Sequence, residues 1–342
     1  MVPSTPAISR RQFLSLDSSA PSPGAAGADA DFWIRVYRRV MACRFEVVLP
    51  GGDARFLPAA RTALNLADRL EARMTVFRDT SELSRVNRLA ADGPVPLHPG
   101  LYDLLSCAAD LHMATGGAFD ITSTPLSRCW GFLQRAAHVP TEESIKAARR
   151  TVGMHLVELD DEARTVRFAR AGVELNLGSI GKGYALDRMG AKLRRMGVRD
   201  ALISAGGSSI LALGADRDGW LIDVTSKLCN GIRLAKLRLR DVAMATSGAG
   251  EQFVVEGNRR FGHVLDPRSG WPAAGVLSAT VVTRDASTAD ALATACLIDG
   301  PALATRYCAA HPATLIILAL DDECGTVKMF GACPGATVEG SP

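Results

Sequence analysis

The sequence has no run approaching the ~20 consecutive apolar residues that a helix needs to cross a bilayer, so no segment is expected to span a membrane. It has almost no charge excess either: 39 Lys and Arg stand against 36 Asp and Glu, a formal net charge of +3. Its basic residues are scattered apart from short groups such as Arg233 to Arg240, and without a basic stripe nucleic acid is disfavoured as the main partner. The eight cysteines never fall into a C-x-x-C pair, and most sit inside apolar segments such as Ala295-Cys296-Leu297. They read as reduced core residues, not as a disulfide framework or a zinc site. No internal repeat is present, and two common nucleotide-binding signatures are missing. The Gly-rich stretch at Gly178 to Gly183 has two residues between its first glycines where a Walker loop needs four, and a Gly follows Lys182 in place of Ser or Thr. A G-x-G-x-x-G fingerprint is likewise absent, which disfavours a Rossmann site.

What remains is the composition of a globular enzyme, with 342 residues, 47% apolar and 22% charged. Residues 1 to 31 are rich in Ser, Pro, Ala and Gly and are expected to form a mobile tail. Within it Ser9-Arg10-Arg11-Gln12-Phe13-Leu14 has the outline of a twin-arginine export signal, but no apolar stretch follows it. The expectation is therefore conditional: cell envelope or periplasm if that signal works, cytoplasm otherwise. Residues 32–335 are expected to form one domain.

Periodicity sets most of the elements. Phe45, Val47 and Leu49 alternate as in a strand, and Gly51-Gly52-Asp53 turns the chain. Ala60, Ala63, Leu64, Ala67, Leu70 and Met74 mark one face of a helix from Leu57 to Met74. A second helix should begin at Thr80 or Ser81, and a third should run from Pro99 to Thr115 and stop at Gly116-Gly117. Thr141 should cap a short helix. Strands are expected over 155–160, 165–170, 173–177, 201–204, 210–213, 221–225 and 277–283. Helices should cover 184–196, 286–298 and 301–310, and a hairpin over 314–320 and 326–330 closes the chain. The strands do not alternate regularly with helices, so the predicted class is α+β, a largely antiparallel mixed sheet packed with helices.

Three constellations carry chemistry. In Asn176-Leu177-Gly178-Ser179-Ile180-Gly181-Lys182-Gly183 a strand passes through a Gly-rich turn into a helix, where amides, the positive helix end and Lys182 suit an anion. An ordinary tight connection would look much the same. In Asp290-Ala291-Leu292-Ala293-Thr294 a carboxylate and a hydroxyl at i and i+4 share a helix face and could hold Mg²⁺ through hard oxygen atoms, unless they are simply a helix-start carboxylate and a buried threonine. In Phe261 to Gly270 a short strand carries His263, of a residue type whose unperturbed pKa lies near neutrality, into a Pro-Gly turn with Asp266; it could act as a general base, although a lone histidine is more often structural.

Taken in order with Met41-Ala42-Cys43, Ser81 to Asn87, Gly117-Ala118-Phe119-Asp120, Trp130-Gly131-Phe132, Ala205-Gly206-Gly207 and Thr246-Ser247-Gly248, these segments resemble the ApbE family of FAD:protein FMN transferases over roughly residues 35 to 330. The resemblance implies an ApbE-like fold with an FAD cleft between lobes. It places Met41, Phe77, Ala118, Phe119, Asp120, Asn176, Lys182 and Leu265 at FAD-lining positions and Ser179, Asp290, Ala293 and Thr294 at metal-binding positions, with Ser179 and Ala293 acting through backbone carbonyls. His263 matches a histidine implicated in catalysis. The implied reaction is Mg²⁺-dependent transfer of the FMN half of FAD to a Ser or Thr hydroxyl of a target flavoprotein, with AMP released. Several positions depart from the family pattern: Met41-Ala42-Cys43 replaces Met-Gly-Thr, Asn176 and Ser208 stand where Asp is common, and no aromatic residue follows Ser247-Gly248. The same site could instead hydrolyse FAD to FMN and AMP, or bind FAD without catalysis.

Overall fold

In the computed structural model the chain is described over residues 32–215, 218–225, 233–250, 252–257, 259–322 and 325–339. The expected tail at 1–31, with its twin-arginine-like stretch, lies outside the described residues, as do Cys229 and Cys324. Strands β1 (Trp33–Val40) and β2 (Cys43–Pro50) form an antiparallel hairpin. A 3-10 turn over Gly51–Phe56, where the glycines predict a change of direction, leads into α1 (Leu57–Met74). Then come α2 (Glu82–Leu89), β3 (Val95–Pro96), α3 (Pro99–Ala114), α4 (Thr124–Cys129) and α5 (Glu142–Arg149). Next are β4 (Val157–Asp160), β5 (Thr165–Phe168), α6 (Gly181–Arg195), β6 (Ala201–Ala205), β7 (Ser209–Leu213) and β8 (Trp220–Thr225). The chain continues through β9 (Arg233–Leu239), β10 (Ala243–Gly248), β11 (Phe253–Glu256), β12 (Arg259–Gly262) and β13 (Val276–Thr283). It closes with α7 (Ala286–Ala310), β14 (Leu315–Leu320), β15 (Val327–Gly331) and β16 (Ala336–Val338).

The main sheet has eight strands in the order β1-β2-β6-β7-β10-β13-β14-β15, and each neighbouring pair is antiparallel. Both its faces are covered, which explains why Leu315-Ile316-Ile317-Leu318-Ala319-Leu320 is apolar throughout instead of alternating. Ile316 and Leu318 point into a core shared with α1, α6 and α7, whereas Leu315, Ile317 and Ala319 point the other way. There they meet Trp220, Ile222 and Val224 of a smaller sheet, β16-β9-β8. A third, aromatic cluster holds Trp130, Phe132, Phe261 and Leu265 against Ile145 of α5. The result is an α+β layering with an antiparallel sheet at its centre.

Helix boundaries follow their caps. Ser81 accepts a hydrogen bond from the Ser84 N–H, so α2 starts one residue after the cap and not on it. Thr141 does the same for Ser144. Helix α6 begins at Gly181, three residues before the expected Tyr184, because Gly181-Lys182-Gly183 forms its first turn. The two helices expected at 286–298 and 301–310 are one element bent at Gly300 (φ +61°), with Pro301 after the bend. One expected strand is absent: 173–177 belongs to none of the strands. At its centre Leu175 is held by a side chain instead, since Asn87 Nδ2 donates to the Leu175 carbonyl and Asn87 Oδ1 accepts from the Leu175 N–H. The Asn176 N–H then donates to the Ile121 carbonyl.

Candidate active site

The Gly-rich turn is built by its own residues. Asn176 Oδ1 accepts from the Gly178 N–H at 2.9 Å, and the Gly181 N–H donates to the Leu177 carbonyl at 2.7 Å. This aims the start of α6 at α7. The two helices cross at Gly183, where any Cβ would overlap the Ala286 carbonyl. Because the approach is so close, the Gly183 N–H reaches Asp290 Oδ2 at 3.0 Å. Lys182 Nζ lies 3.2 Å from Asp290 Oδ1, and Ser209 Oγ donates to the same oxygen at 3.1 Å. Asp290 is therefore a nearly buried carboxylate held by an amide, a hydroxyl and an ammonium.

One turn further along α7, Thr294 Oγ1 is 3.1 Å from Ser247 Oγ of β10 and 3.4 Å from the Asp290 carbonyl. The expected sharing of one helix face by Asp290 and Thr294 is thus observed. Ala293, between them, is fully buried, which leaves its backbone as its only polar group. Ser179 sits half-buried in the turn ahead of α6. Among the described residues no group of three or more His, Cys, Asp and Glu side chains is placed to hold a metal ion. A cation here would be held by one carboxylate, hydroxyls and carbonyls, all hard oxygen donors of the kind Mg²⁺ takes.

Asp187 fastens the α6–α7 crossing. Its carboxylate accepts from the N–H groups of Ala286 and Ser287, at 2.7 and 2.9 Å, and from Ser287 Oγ at 2.5 Å. Burial pushes its pKa up to about 6, against the lowering effect of those three hydrogen bonds.

The Gly117-Ala118-Phe119-Asp120 segment lies at the end of α3. Ala118 and Phe119 are fully buried. Asp120 is committed internally: Oδ1 accepts from the N–H and the hydroxyl of Thr122, and Oδ2 lies 3.2 Å from His112 Nδ1. That hydrogen bond to Asp120 raises the His112 pKa, partly offset by burial. Beside them is a cavity of about 480 Å³ whose walls include His112, Asp120, Arg149, Gly153, His155 and Arg268.

Met41 and Ala42 form the two-residue loop of the β1–β2 hairpin with φ of +50° and +58°. Met41 packs against the main core, and Cys43 lies against Gly206. Phe77, between α1 and α2, is 77% exposed, an unusual position for a large apolar ring. His263 follows β12, with its N–H donating to the Gln252 carbonyl at 3.0 Å and its ring edge-on to Phe132 at a centroid distance of 6.4 Å. Leu265 is buried in the aromatic cluster and bridges to Pro272.

Hydrogen bonds and packing join several of these stations. Lys182 and Asp290 touch, Asn176 is tied to the Ala118–Asp120 segment through Ile121, and the His263 loop is tied to α7 through Arg268 and Asp299. Phe77 makes no hydrogen bond to the other candidates beyond a local one to Thr75 Oγ1. Sequence reasoning missed Ser209, the fastening by Asp187 and the Arg268–Asp299 pair. Only Asp187 carried a signal, an acid placed on the helix that the Gly-rich turn opens.

The chain is similar to known proteins over most of its length. A sequence model of the ApbE family matches residues 39–318. The chain is 31% identical to a FAD:protein FMN transferase of Klebsiella pneumoniae over 68% of its own length and 72% of that protein's. It is 30% identical to one from Treponema pallidum, over 75% and 76% respectively. Among solved structures, an ApbE protein of Thermotoga maritima superposes with a TM-score of 0.78 at 27% identity, covering 87% of this chain and 96% of that one. The flavin transferase ApbE of Vibrio cholerae gives 0.76 at 25% identity, over 89% and 98%.

Proposed function

The chain belongs to the ApbE family, and from that premise we propose that it moves the FMN half of FAD onto a Ser or Thr hydroxyl of a target protein, releasing AMP, with Mg²⁺ as cofactor. The class of enzyme, a flavin transferase, is carried by its relatives. The finer statement rests on one observation above all: Lys182, the Gly183 amide and the Asp290–Thr294 face converge where α6 begins. Splitting a pyrophosphate asks for charge neutralisation and in-line placement more than for covalent chemistry by the protein.

In this reading the Lys182 ammonium and the positive end of the α6 dipole neutralise the pyrophosphate oxygens. Ser179, Asp290, Ala293 and Thr294 would hold Mg²⁺, which supplies Lewis-acid stabilisation of phosphate charge when bound. The acceptor hydroxyl attacks the FMN phosphorus, the bond from that phosphorus to the bridging oxygen breaks, and the electron pair leaves with AMP. His263 takes the hydroxyl proton. Met41, the exposed Phe77 ring, the backbone of Ala118 and Phe119, Asn176 and Leu265 line the path of the FAD, with Asp120 fixing the loop beside it.

The test is to incubate the protein with FAD, Mg²⁺ and a peptide carrying an Asp-Gly-x-Ser/Thr-Gly-Ala-Thr acceptor, and to measure peptide mass and AMP. An FMN adduct with equimolar AMP is expected. AMP and free FMN without adduct would make the protein an FAD pyrophosphatase, and bound FAD without turnover would make it a carrier.

A further inference from the structure

The loop that carries His263 and Leu265 is closed on itself. The Ala273 N–H donates to the Val264 carbonyl, Asp266 and Trp271 pair through the Asp266 N–H, and the Gly270 N–H returns to the Asp266 carbonyl at 2.7 Å. Such a loop is stiff internally, but its placement relative to α7 depends on what holds it from outside. Two contacts do so. Trp130 Nε1 donates to the Gly270 carbonyl at 2.9 Å and seats the loop on the aromatic cluster.

The second contact reaches α7. Arg268 grips Asp266 with a fork, Nε to Oδ1 and Nη2 to Oδ2, each 2.9 Å, and the same Nη2 donates to Asp299 Oδ1 at 2.9 Å. Asp299 is the last residue before the bend at Gly300, and Arg306 beyond the bend lies 3.6 Å from its other oxygen. Helix α7 is the element that carries Asp290 and Thr294. One guanidinium thus ties the loop bearing the proton acceptor to the helix bearing the phosphate-facing groups. Nine residue steps of helix separate Asp290 from Asp299, about 13 Å at 1.5 Å per residue, so a small tilt at the clamp displaces the two halves relative to each other.

We propose that Arg268 is a positioning residue for the transfer reaction: through Asp266 and Asp299 it fixes the distance between the His263 loop and the Asp290–Thr294 face. A planar guanidinium is suited to this, because only a fork can hold one carboxylate by two bonds and still present a donor to a second. Lysine can hold a charge there but not an orientation. The inference rests on the proposed transfer chemistry, so the parent protein is assayed in parallel.

The experiment compares the parent with Arg268→Lys, Arg268→Gln, Asp299→Asn and the Arg268→Gln/Asp299→Asn double variant, measuring FMN transfer to the acceptor peptide, FAD affinity by flavin fluorescence and thermal midpoint. Alignment effects of this kind reach roughly 10- to 100-fold. Arg268→Gln and Asp299→Asn should each lower kcat by about that much, with FAD affinity within about threefold of the parent. The double variant should be no slower than the worse single one, because the two residues act as one unit. Arg268→Lys, which keeps the charge and is the safer variant for folding, should lower kcat while leaving KM for FAD unchanged. A kcat within twofold of the parent in Arg268→Lys and in either neutral variant overturns the proposal. So does a fall in FAD affinity equal to the fall in kcat, which would make the clamp part of the FAD seat. A parent that transfers no FMN overturns both this inference and the reading it rests on. A fully active parent with fully active variants overturns this inference alone.

Discussion

Ala42 holds a backbone conformation, φ +58°, that an L-residue adopts at a cost of roughly 1–2 kcal/mol and glycine adopts freely. The hairpin needs it, because a two-residue loop matching the twist of its strands requires positive φ at both positions. Ala42→Gly is therefore expected to raise stability by about 1 kcal/mol, some of the relief being lost to the greater freedom of glycine in the unfolded chain. A lower denaturant midpoint would contradict this. Asp290 stands at the opposite extreme. Replacing it with alanine removes one partner from each of the Lys182 ammonium, the Ser209 hydroxyl and the Gly183 N–H. Asp290→Ala should abolish metal-dependent FMN transfer, and parent-level activity at low Mg²⁺ would sink the metal assignment.

Between elements, the α6–α7 crossing is the contact on which the site depends, and it makes two predictions. Gly183→Ala sets a methyl group against the Ala286 carbonyl, backbone that cannot rotate away. A loss of about 3 kcal/mol or more is expected, at the upper end of overpacking effects, and a melting curve within a degree of the parent would show the helices to be free to separate. The second concerns Asp187. Its folded pKa of about 6 lies above its ordinary 3.8, so between those values the folded state holds the proton more tightly than the unfolded state does. The stabilisation from this group is complete below about pH 4 and is lost as pH rises through about 6. Two pKa units correspond to about 3 kcal/mol at most. Asp187→Asn cannot titrate, so the parent's stability relative to the variant should decline from pH 4 to 6 and level off above about 7. A difference independent of pH would refute it.

The elements themselves were largely legible. The α1 stripe, the caps at Ser81 and Thr141, and the proline and glycine bounding α3 are local signals, and the structure obeys them within a residue or so. The segment at 173–177 misled because an alternating stretch looks the same whether a strand pairs with it or the single side chain of Asn87 holds its centre. Strands β9 and β10 went unforeseen for a related reason. Basic residues interrupt β9, and β10 is Ala-Met-Ala-Thr-Ser-Gly, a sequence of small side chains with little strand signature, paired because its neighbours β7 and β13 are.

At the scale of the whole molecule the candidate site is a product of long-range contacts, which is why a family pattern could suggest residues for it but not their partners. Ser209 meets Asp290 across 81 positions and Trp130 meets Gly270 across 140, and no local rule joins them. A site assembled from segments so far apart exists only when the chain is folded. Whatever occupies it should therefore stabilise the entire fold by mass action: FAD at 100 times its dissociation constant adds about 2.7 kcal/mol, a rise of several degrees in melting temperature for a chain of this length. If Asp290 and Thr294 hold Mg²⁺ beside the pyrophosphate, part of that rise should need the metal. Chelation with EDTA should shrink the FAD-induced shift in the parent and leave it unchanged in Asp290→Ala. A parent shift of equal size with and without EDTA would separate FAD binding from any metal at the α6–α7 crossing.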